Sequence, residues 1–356
     1  MDFSKIFIKS ASPTKVGGQA ILEGIMMRGK DRIATVLRKP DGGMHMKVDP
    51  LKKPSKWKKV PIVRGVVAFV DSLVTGTGIL LYSAEMLEQF DTETVYEKDK
   101  MTIWLEKHFG EKGAFSAMLY FSVVLAVLFT VGIFIILPTA LVSAAKYITE
   151  NHIVLNLIEG ILRILMFVVY ISVISKMEDI KKVFQYHGAE HKTIHCYENK
   201  LELTPENAQQ FETLHPRCGT SFLMFVMVIS LLLFSLLGWP NLWIRIGSRL
   251  LLIPVVAGLS YELLQWAGRS DSWIVKVLSV PGLLLQMLTT KRPDEDQLAI
   301  AIAAMKEVLK EDEPRSYVAE CGPDGIFKEI SEAEIAESEE IEQEKQDKET
   351  TDRGED

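Results

Sequence analysis

The sequence predicts a mainly α-helical multi-pass membrane protein, with about four transmembrane helices, further interfacial or re-entrant helices and a small N-terminal β-hairpin module. The chain is 48% hydrophobic and its mean hydropathy is positive, which excludes an ordinary soluble two-domain protein. Residues 115–137 and 153–175 are long, predominantly apolar segments, each sufficient to cross a bilayer. Residues 33–38 and 44–48 flank turn residues and are typical of paired strands.

Charge separates the C-terminal end from the rest. Twelve acidic and three basic residues give residues 331–356 a net charge of −9, against −7 for the whole chain, so residues 1–330 carry +2. Such a core suits an anionic membrane surface. We divide the chain into seven segments: 1–60, a cytoplasmic β-hairpin module; 61–112, a polar-striped interfacial or re-entrant helix and linker; 113–176, a first transmembrane hairpin; 177–220, a cytoplasmic His/Glu/Cys loop; 221–268, a second transmembrane hairpin; 269–310, an interfacial segment and amphipathic helix; 311–356, a disordered acidic tail.

The second transmembrane hairpin is predicted from residues 222–237 and 250–266, separated by a turn whose tryptophans suit a headgroup interface. Six Lys or Arg residues lie between 176 and 220, against Lys146 in one flanking loop and Arg245 and Arg249 in the other. The positive-inside rule then places the middle loop and both termini in the cytoplasm, with the spans in the inner (cytoplasmic) membrane.

Residues 61–87 are nearly as apolar as a membrane span but carry a polar stripe at helical spacing. Its members are Arg64, Asp71, Thr75, Tyr82 and Glu85. A full crossing would move the middle loop outside, so we favour an in-plane or re-entrant helix.

Two further apolar segments follow the second hairpin. Residues 273–288 are short and broken at Pro281-Gly282, which indicates a half-span or interfacial segment. Residues 293–310 form an amphipathic helix with one apolar face that should dock on another surface. The predicted partners are therefore the lipid bilayer and a membrane protein held through residues 61–87 and 293–310. Nucleic-acid binding is not supported, since the basic residues of 52–59 are better explained as a juxtamembrane cluster.

The glycine-rich stretch of residues 17–24 admits two interpretations. It could be a phosphate-binding loop, but it lacks the Lys-Ser/Thr that follows in a P-loop. A tight backbone turn is the simpler interpretation.

A metal site is predicted in the middle loop. His187, His191 and His195 are spaced four residues apart and lie within about 80° of arc on a helix, so their imidazoles can converge. Glu190 lies beside them and completes the His-x-x-Glu-His pattern of inverted zincins, in which the glutamate handles protons. The three cysteines are too few for a disulfide framework and should be reduced.

A second arm of the site comes from His215 and Cys218, on a Pro and Gly turn just before a span. Four of the seven histidines and two of the three cysteines thus fall within 32 residues. Glu262 is an acid near the cytoplasmic end of a span, where an ionisable group is by default functional, and is a candidate third ligand or alternatively a partner of Arg269. In the competing interpretation the histidines cap helices or contact headgroups and the cysteines are small buried hydrophobes.

Three motifs resemble the YqhQ family, a bacterial membrane family catalogued as domain of unknown function 1385. They begin at Gly17, Tyr186 and Leu214 and read GGQAILEGIMMRG, YHGAEHK and LHPRCGTSF, in that order. The resemblance covers roughly residues 12–310. It implies a predicted metal-dependent enzyme without an established substrate.

Two functions follow as hypotheses. The first is a hydrolase of an amphiphilic or membrane-tethered substrate, dependent on a divalent metal such as zinc, with Glu190 as catalytic base and the metal ligands drawn from the set His187, His191, His195, His215, Cys218 and Glu262. The second is a non-catalytic membrane scaffold or assembly factor with a structural His/Cys site. Transport is a weaker third, because no inverted repeat is evident.

Overall fold

The computed structural model describes residues 14, 16–51, 60–90, 100–144, 151–238, 240–267, 270, 272–322 and 325–330. The basic cluster at 52–59, Lys146 of the first loop, Arg269 and the tail beyond residue 330 lie outside the described residues. The described part combines one antiparallel β-sheet with ten α-helices.

The sheet is a six-stranded antiparallel meander in the order β1-β2-β3-β4-β5-β6. The predicted hairpin is confirmed, since Arg32–Arg38 pairs with Met44–Pro50. The glycine-rich stretch also forms a hairpin, with Gly17–Ile21 paired to Gly24–Arg28, so the interpretation as a tight turn fits and a phosphate loop does not. The six strands are β1 (Gly17–Ile21), β2 (Gly24–Arg28), β3 (Arg32–Arg38), β4 (Met44–Pro50), β5 (Tyr317–Cys321) and β6 (Phe327–Ile330).

The last two strands correct the predicted start of disorder at residue 311. β5 pairs with β4, and Ala319 and Cys321 are buried. The alternation of buried and half-buried residues in β5 is that of a strand with one face on a core. It is only five residues long, and the dense acidic run behind it dominated the composition on which disorder was predicted. The N-terminal module is therefore completed by residues more than 260 positions away.

The ten helices are α1 (Val63–Phe90), α2 (Lys100–Val131), α3 (Leu137–Ala144), α4 (His152–Ile174), α5 (Glu178–Glu198), α6 (Pro205–Gln209), α7 (Gly219–Ser235), α8 (Leu242–Ala267), α9 (Trp273–Thr289) and α10 (Glu295–Val308). A π-helical turn, Gly132–Ile136, joins α2 to α3. Within the described ranges, four stretches are long and apolar enough to cross a membrane: Val63–Phe90, Ala117–Ser143, His152–Ile174 and Leu242–Ala267. The chain therefore has the helices of a membrane protein.

Both helices of the predicted second transmembrane hairpin differ in length from the prediction. α7 has only 17 residues and falls short of the four candidate spans, because Cys218 caps its start and a turn follows Ser235. α8 is longer than predicted, since it begins at Leu242 instead of residue 250. Arg245 and Arg249, predicted as loop cations, therefore belong to this helix.

These two arginines belong to a buried ionic network between helices. Arg249 forms an ion pair with Glu159 and donates to Asn156 Oδ1 at 3.1 Å. Arg163 bonds Glu159 at 2.9 Å, which confirms the predicted pair one helical turn apart. Arg245 donates to the carbonyl oxygen of Thr139 at 3.1 Å. The network ties α3, α4 and α8 together where unpaired charge would be costly.

The sheet lies between two helical layers. One face packs on α5 and α10 around a core of buried apolar side chains: Ile25, Met27, Ala34, Val36, Met46, Val48, Tyr186, Ala189, Leu298 and Met305. The apolar face of α10 lies inside this core. Docking of residues 293–310 is thus confirmed, but on the chain itself, which leaves that apolar face unavailable to a separate protein and corrects the predicted partner surface.

The opposite face of the sheet carries the polar stripe of α1. Asp71 accepts from Arg28 at 3.3 Å, and the hydroxyl of Tyr82 lies 2.7 Å from His45 Nε2. The outward side of α1 is apolar, and Val74 is 70% exposed. α1 is one continuous helix of 28 residues.

α9 is continuous through Pro281, which corrects the predicted break at Pro281-Gly282. Gly282 faces α7, where a β-carbon would approach Ser221 Oγ to 2.7 Å. The Pro-Gly pair therefore marks a close helix crossing.

Candidate metal centre

Helix α5 carries most of the candidate site. Glu178 and Asp179 occupy its first turn, where they favour the positive end of the helix dipole. His187, His191 and His195 follow along one face, as their spacing predicts. The last two turns are buried beneath β1 and the segment leading to α7.

The three histidines divide between two neighbouring triads. In the first, ligand atoms of His187, His191 and Cys218 lie within 4.8 Å of one another. In the second, ligand atoms of His195, Glu198 and His215 also lie within 4.8 Å of one another. Five of the six predicted ligands, all except Glu262, therefore lie in two groups of three, and Glu198 is the sixth member.

Hydrogen bonds fix the ring orientation in the first triad. His187 Nδ1 lies 2.8 Å from the carbonyl oxygen of Thr289, and His191 Nδ1 bonds the carbonyl oxygen of Thr213. A carbonyl only accepts, so each Nδ1 carries a proton and each Nε2 is the nitrogen left for a ligand; on His187, metal binding would release the proton that Nε2 shares with Cys218. His187 Nε2 is 3.1 Å from Cys218 Sγ, against about 3.5 Å expected for nitrogen and sulfur on one tetrahedral zinc ion.

His191 is the more deeply buried of the two histidines in the first triad. It is 1% exposed, and its Nε2 atom has no hydrogen-bond partner among the described residues. Buried polar atoms are nearly always satisfied, and exceptions point to a strained site or an unseen ion. The residues of the first triad thus fit a divalent metal with His₂Cys ligation.

The charges of the first triad are strongly coupled. Burial alone would raise the pKa of the Cys218 thiol, but His191 and His187 hold this pKa well below its usual value. Burial opposes the charge on His187 as well, yet Cys218 and Glu190 raise its pKa to about 9. Cys218 also caps α7, accepting from Thr220 N, and a helix N-terminus favours thiolate. The thiol is therefore held in the form that binds metal.

Glu190 is held beside the triad by β1. Gly18 N–H donates to Glu190 Oε1 at 2.8 Å, and burial raises the pKa of this carboxyl against the influence of His191 and His187. A β-carbon on Gly18 would come within 3.0 Å of Glu190 Cδ and 2.7 Å of Met26 O. The first glycine motif thus supplies the close approach that positions the glutamate.

The second triad contains a residue that was not predicted from the sequence. Glu198 is fully buried and accepts through Oε1 from Thr14 N and from Arg217. Despite burial, the nearby His215 ring, the hydrogen bond from Thr14 N and the charge of Arg217 lower its pKa to about 2. Burial lowers the pKa of both His195 and His215, that of His195 to about 4. The signal was present in the sequence, because Glu198 follows His195 by three residues on the same helical face.

Lys192 holds the stretch of chain that carries the second arm. Its buried ammonium donates to the carbonyl oxygens of Gln209 and Phe211. Burial lowers its pKa to about 8. Gln286 completes the support, accepting from His215 N and donating to His215 O.

Glu262 does not join either triad, which corrects its assignment as a ligand. Its carboxylate pairs with Arg64 and accepts from Ile62 N at 3.1 Å. The alternative partner, Arg269, lies outside the described residues. The prediction failed because α1 was not expected to pack its first turn against the end of α8.

A cleft of about 270 Å³ lies between β1, β2 and α1. Polar and small residues line it, among them Gln19, Arg28, Ser72 and Thr75. It touches the candidate centre through Gly18, whose amide holds Glu190.

Comparison with known proteins decides the family. A family model described as a protein of unknown function (DUF1385) matches residues 60–311. The chain belongs to this family. The "Uncharacterized protein YqhQ" of Bacillus subtilis (strain 168) is 36% identical over 308 residues, covering 85% of this chain and 94% of that protein. No solved structure matches the chain.

Membership of DUF1385 confirms the family resemblance found in the sequence. The matched stretch contains both triads and Glu190. The alignment with the Bacillus protein covers more residues than this stretch, so it extends beyond the part matched by the family model. Neither comparison assigns a metal, a substrate or a reaction.

Proposed function

We propose that this DUF1385 chain is a metal-dependent membrane hydrolase whose first triad, His187, His191 and Cys218, binds a zinc-type divalent ion. The observation that carries the proposal is that three ligand atoms, one from each residue, lie close together. The rings of His187 and His191 are also both oriented by hydrogen bonds to backbone carbonyls. Metal-binding histidines commonly show this second contact. Three protein ligands leave a fourth position free, as in catalytic zinc sites.

Glu190 is the proposed general base of the hydrolysis, the group that accepts a proton. A bound ion would supply Lewis-acid polarisation of a substrate oxygen. Glu190 stands next to the triad with a raised pKa, so its carboxylate is a stronger base than an exposed glutamate and accepts a proton more readily near neutral pH. Gly18 N–H holds one carboxylate oxygen, which leaves the other for the proton.

The substrate is proposed to be amphiphilic or tethered to the membrane. The chain carries four helices of spanning character, and α1 exposes apolar residues next to a polar cleft. A headgroup can enter such a cleft while an apolar tail stays with the lipid. We place the protein in the inner membrane with both termini cytoplasmic, on the excess of Lys and Arg between residues 176 and 220.

The second candidate function is a non-catalytic scaffold with a structural metal site. The burial of His191 and the capping role of Cys218 favour it, because a metal there would fasten α5 to the start of α7. A structural site is fully coordinated by protein, whereas a catalytic site keeps an exchangeable position.

Glu190→Gln separates the two functions. The purified variant should keep its zinc, measured by elemental analysis, and lose at least about 100-fold in hydrolysis of a panel of amphiphilic ester and phosphoester substrates, the size expected for loss of a general base. Glu262→Gln is the matched control, because its carboxylate lies in the ion pair with Arg64, and it should keep both zinc and turnover. Full activity in Glu190→Gln contradicts the role of this glutamate. Activity that survives removal of zinc but not Cys218→Ser would contradict the metal mechanism and indicate a thiol nucleophile.

A further inference from the structure

The second triad has the features of a metal site in its own right. One ligand atom from each of His195, Glu198 and His215 lies within 4.8 Å of the others. Glu198 is 0% and His215 4% exposed. The triad therefore combines a buried carboxylate, a buried imidazole and the half-buried imidazole of His195, a ligand set that suits zinc and other transition metals.

Two atoms of this triad face each other without bonding. His215 Nε2 and Glu198 Oε2 are 3.6 Å apart, which is too long for a hydrogen bond. Both are shielded from solvent and have no hydrogen-bond partner among the described residues. Glu198 satisfies its other oxygen twice, through Thr14 N and Arg217, so the lack of a partner is confined to the oxygen that points into the triad.

The spacing fits an ion between these atoms. Two ligands at about 2.0–2.1 Å from a tetrahedral zinc are separated by about 3.4 Å, close to the observed 3.6 Å. Binding through His215 Nε2 requires a proton on Nδ1, so the long contact from Arg217 N, at 3.3 Å, would be given up. His195 Nε2 bonds the carbonyl oxygen of Leu214 at 3.0 Å, which orients its ring and leaves Nδ1 as the free nitrogen.

The two triads adjoin. The ring centroids of His191 and His215 are 5.6 Å apart, and those of His195 and His215 are 4.6 Å apart. His191 Nε2, of the first triad, is also a buried atom without a hydrogen-bond partner among the residues described. Three unsatisfied ligand atoms thus lie in one buried region that spans both triads.

We propose that His195, Glu198 and His215 bind a second divalent cation, so that the chain carries a two-metal centre. The catalytic meaning of the second ion rests on the proposed function, but its binding does not. Two-metal centres place both ions on one substrate, and they serve hydrolytic displacements in which attacking and leaving groups are both stabilised.

The test is the number of zinc ions bound by the full chain in detergent, after chelator treatment and addition of zinc alone. Wild type should bind two equivalents by elemental analysis. Glu198→Gln and His195→Gln should each bind one, and His187→Ala should also bind one. His45→Gln is the matched control, because this buried histidine bonds Tyr82 and Glu320 away from both triads, and it should bind two.

The outcomes separate this inference from the proposed function. One equivalent in wild type that is lost in His187→Ala and retained in both second-triad variants overturns the second site alone. One equivalent that is lost in Glu198→Gln and His195→Gln but retained in His187→Ala overturns the proposed function and the two-metal centre. No zinc in folded wild type overturns both. Because Glu198 is also held by Arg217, the fold of each variant is checked by near-ultraviolet circular dichroism, and His195→Gln carries the test if Glu198→Gln does not fold.

Discussion

Single glycines set the distances at which the candidate centre is assembled. Gly188 lies within α5, where alanine would favour the helix by about 1 kcal/mol. A β-carbon there would overlap the carbonyl oxygen of Lys291, in the segment that follows the Thr289 carbonyl bonded by His187. Gly18 plays the same part on the other side, against Glu190. Gly18 and Gly188 are therefore explained by close packing around the site.

Replacing Gly188 should show whether the gain in helix propensity or the overlap with the carbonyl oxygen of Lys291 has the larger effect on stability. Gly188→Ala is expected to destabilise the protein by about 1–3 kcal/mol, the usual cost of overpacking, despite the gain in helix propensity. The measurement is the midpoint of thermal unfolding in detergent. Gly17→Ala is the control, because a β-carbon added at Gly17 would meet no heavy atom within 4 Å. Equal midpoints for the two variants would contradict the packing argument.

Among the helices, α1 has the apolar composition of a membrane span but packs against the sheet. It has the length and hydropathy of a span, yet Asp71 and Tyr82 of its polar stripe contact Arg28 and His45 of the sheet. Elsewhere on α1, Phe69 contacts Phe222 near the start of α7, and Arg64 pairs with Glu262 near the end of α8. We therefore predict that α1 lies in the membrane interface.

Spin-label depth measurements test the position of α1. A nitroxide at Val74→Cys should report a shallow position in lipid vesicles, whereas one at Leu128→Cys, on the exposed apolar side of α2, should be deep. Both variants are made in a Cys218→Ser background, because Cys196 and Cys321 are buried. A depth at Val74 equal to that at Leu128 would show that α1 crosses the bilayer.

The attachment of β5 depends on charge. Glu320 accepts from Lys39 at 2.8 Å and lies 3.3 Å from His45 Nδ1. Burial would raise its pKa, but these two partners lower it below the ordinary value of 4.5. A carboxyl whose pKa is lowered by folding stabilises the fold above its unfolded pKa and loses that contribution as pH falls.

Glu320→Gln should therefore destabilise the protein at pH 7 by about 0.5 kcal/mol, a small value because solvent screens this partly exposed pair. The difference from wild type should close as the pH falls below about 4.5. Unfolding midpoints of both proteins across this range measure it. A difference that does not change with pH would contradict the electrostatic explanation.

For the whole molecule, local patterns predicted most helices, one hairpin and the clustering of ligands. They could not predict contacts between distant segments: the pairing of β4 with β5 or the ion pair of Glu262 with Arg64. Each depends on residues far apart in sequence. The helical spacing of His187, His191 and His195 predicted convergence, but only the fold divides them between two partners, Cys218 and His215.

The central claim is that His187, His191 and Cys218 hold one metal ion. X-ray absorption spectroscopy of the full chain loaded with zinc measures this most directly. We expect a sulfur ligand at about 2.3 Å together with nitrogen ligands at about 2.0–2.1 Å, and loss of the sulfur contribution in Cys218→Ser. A zinc environment without sulfur in the wild-type protein would contradict the claim.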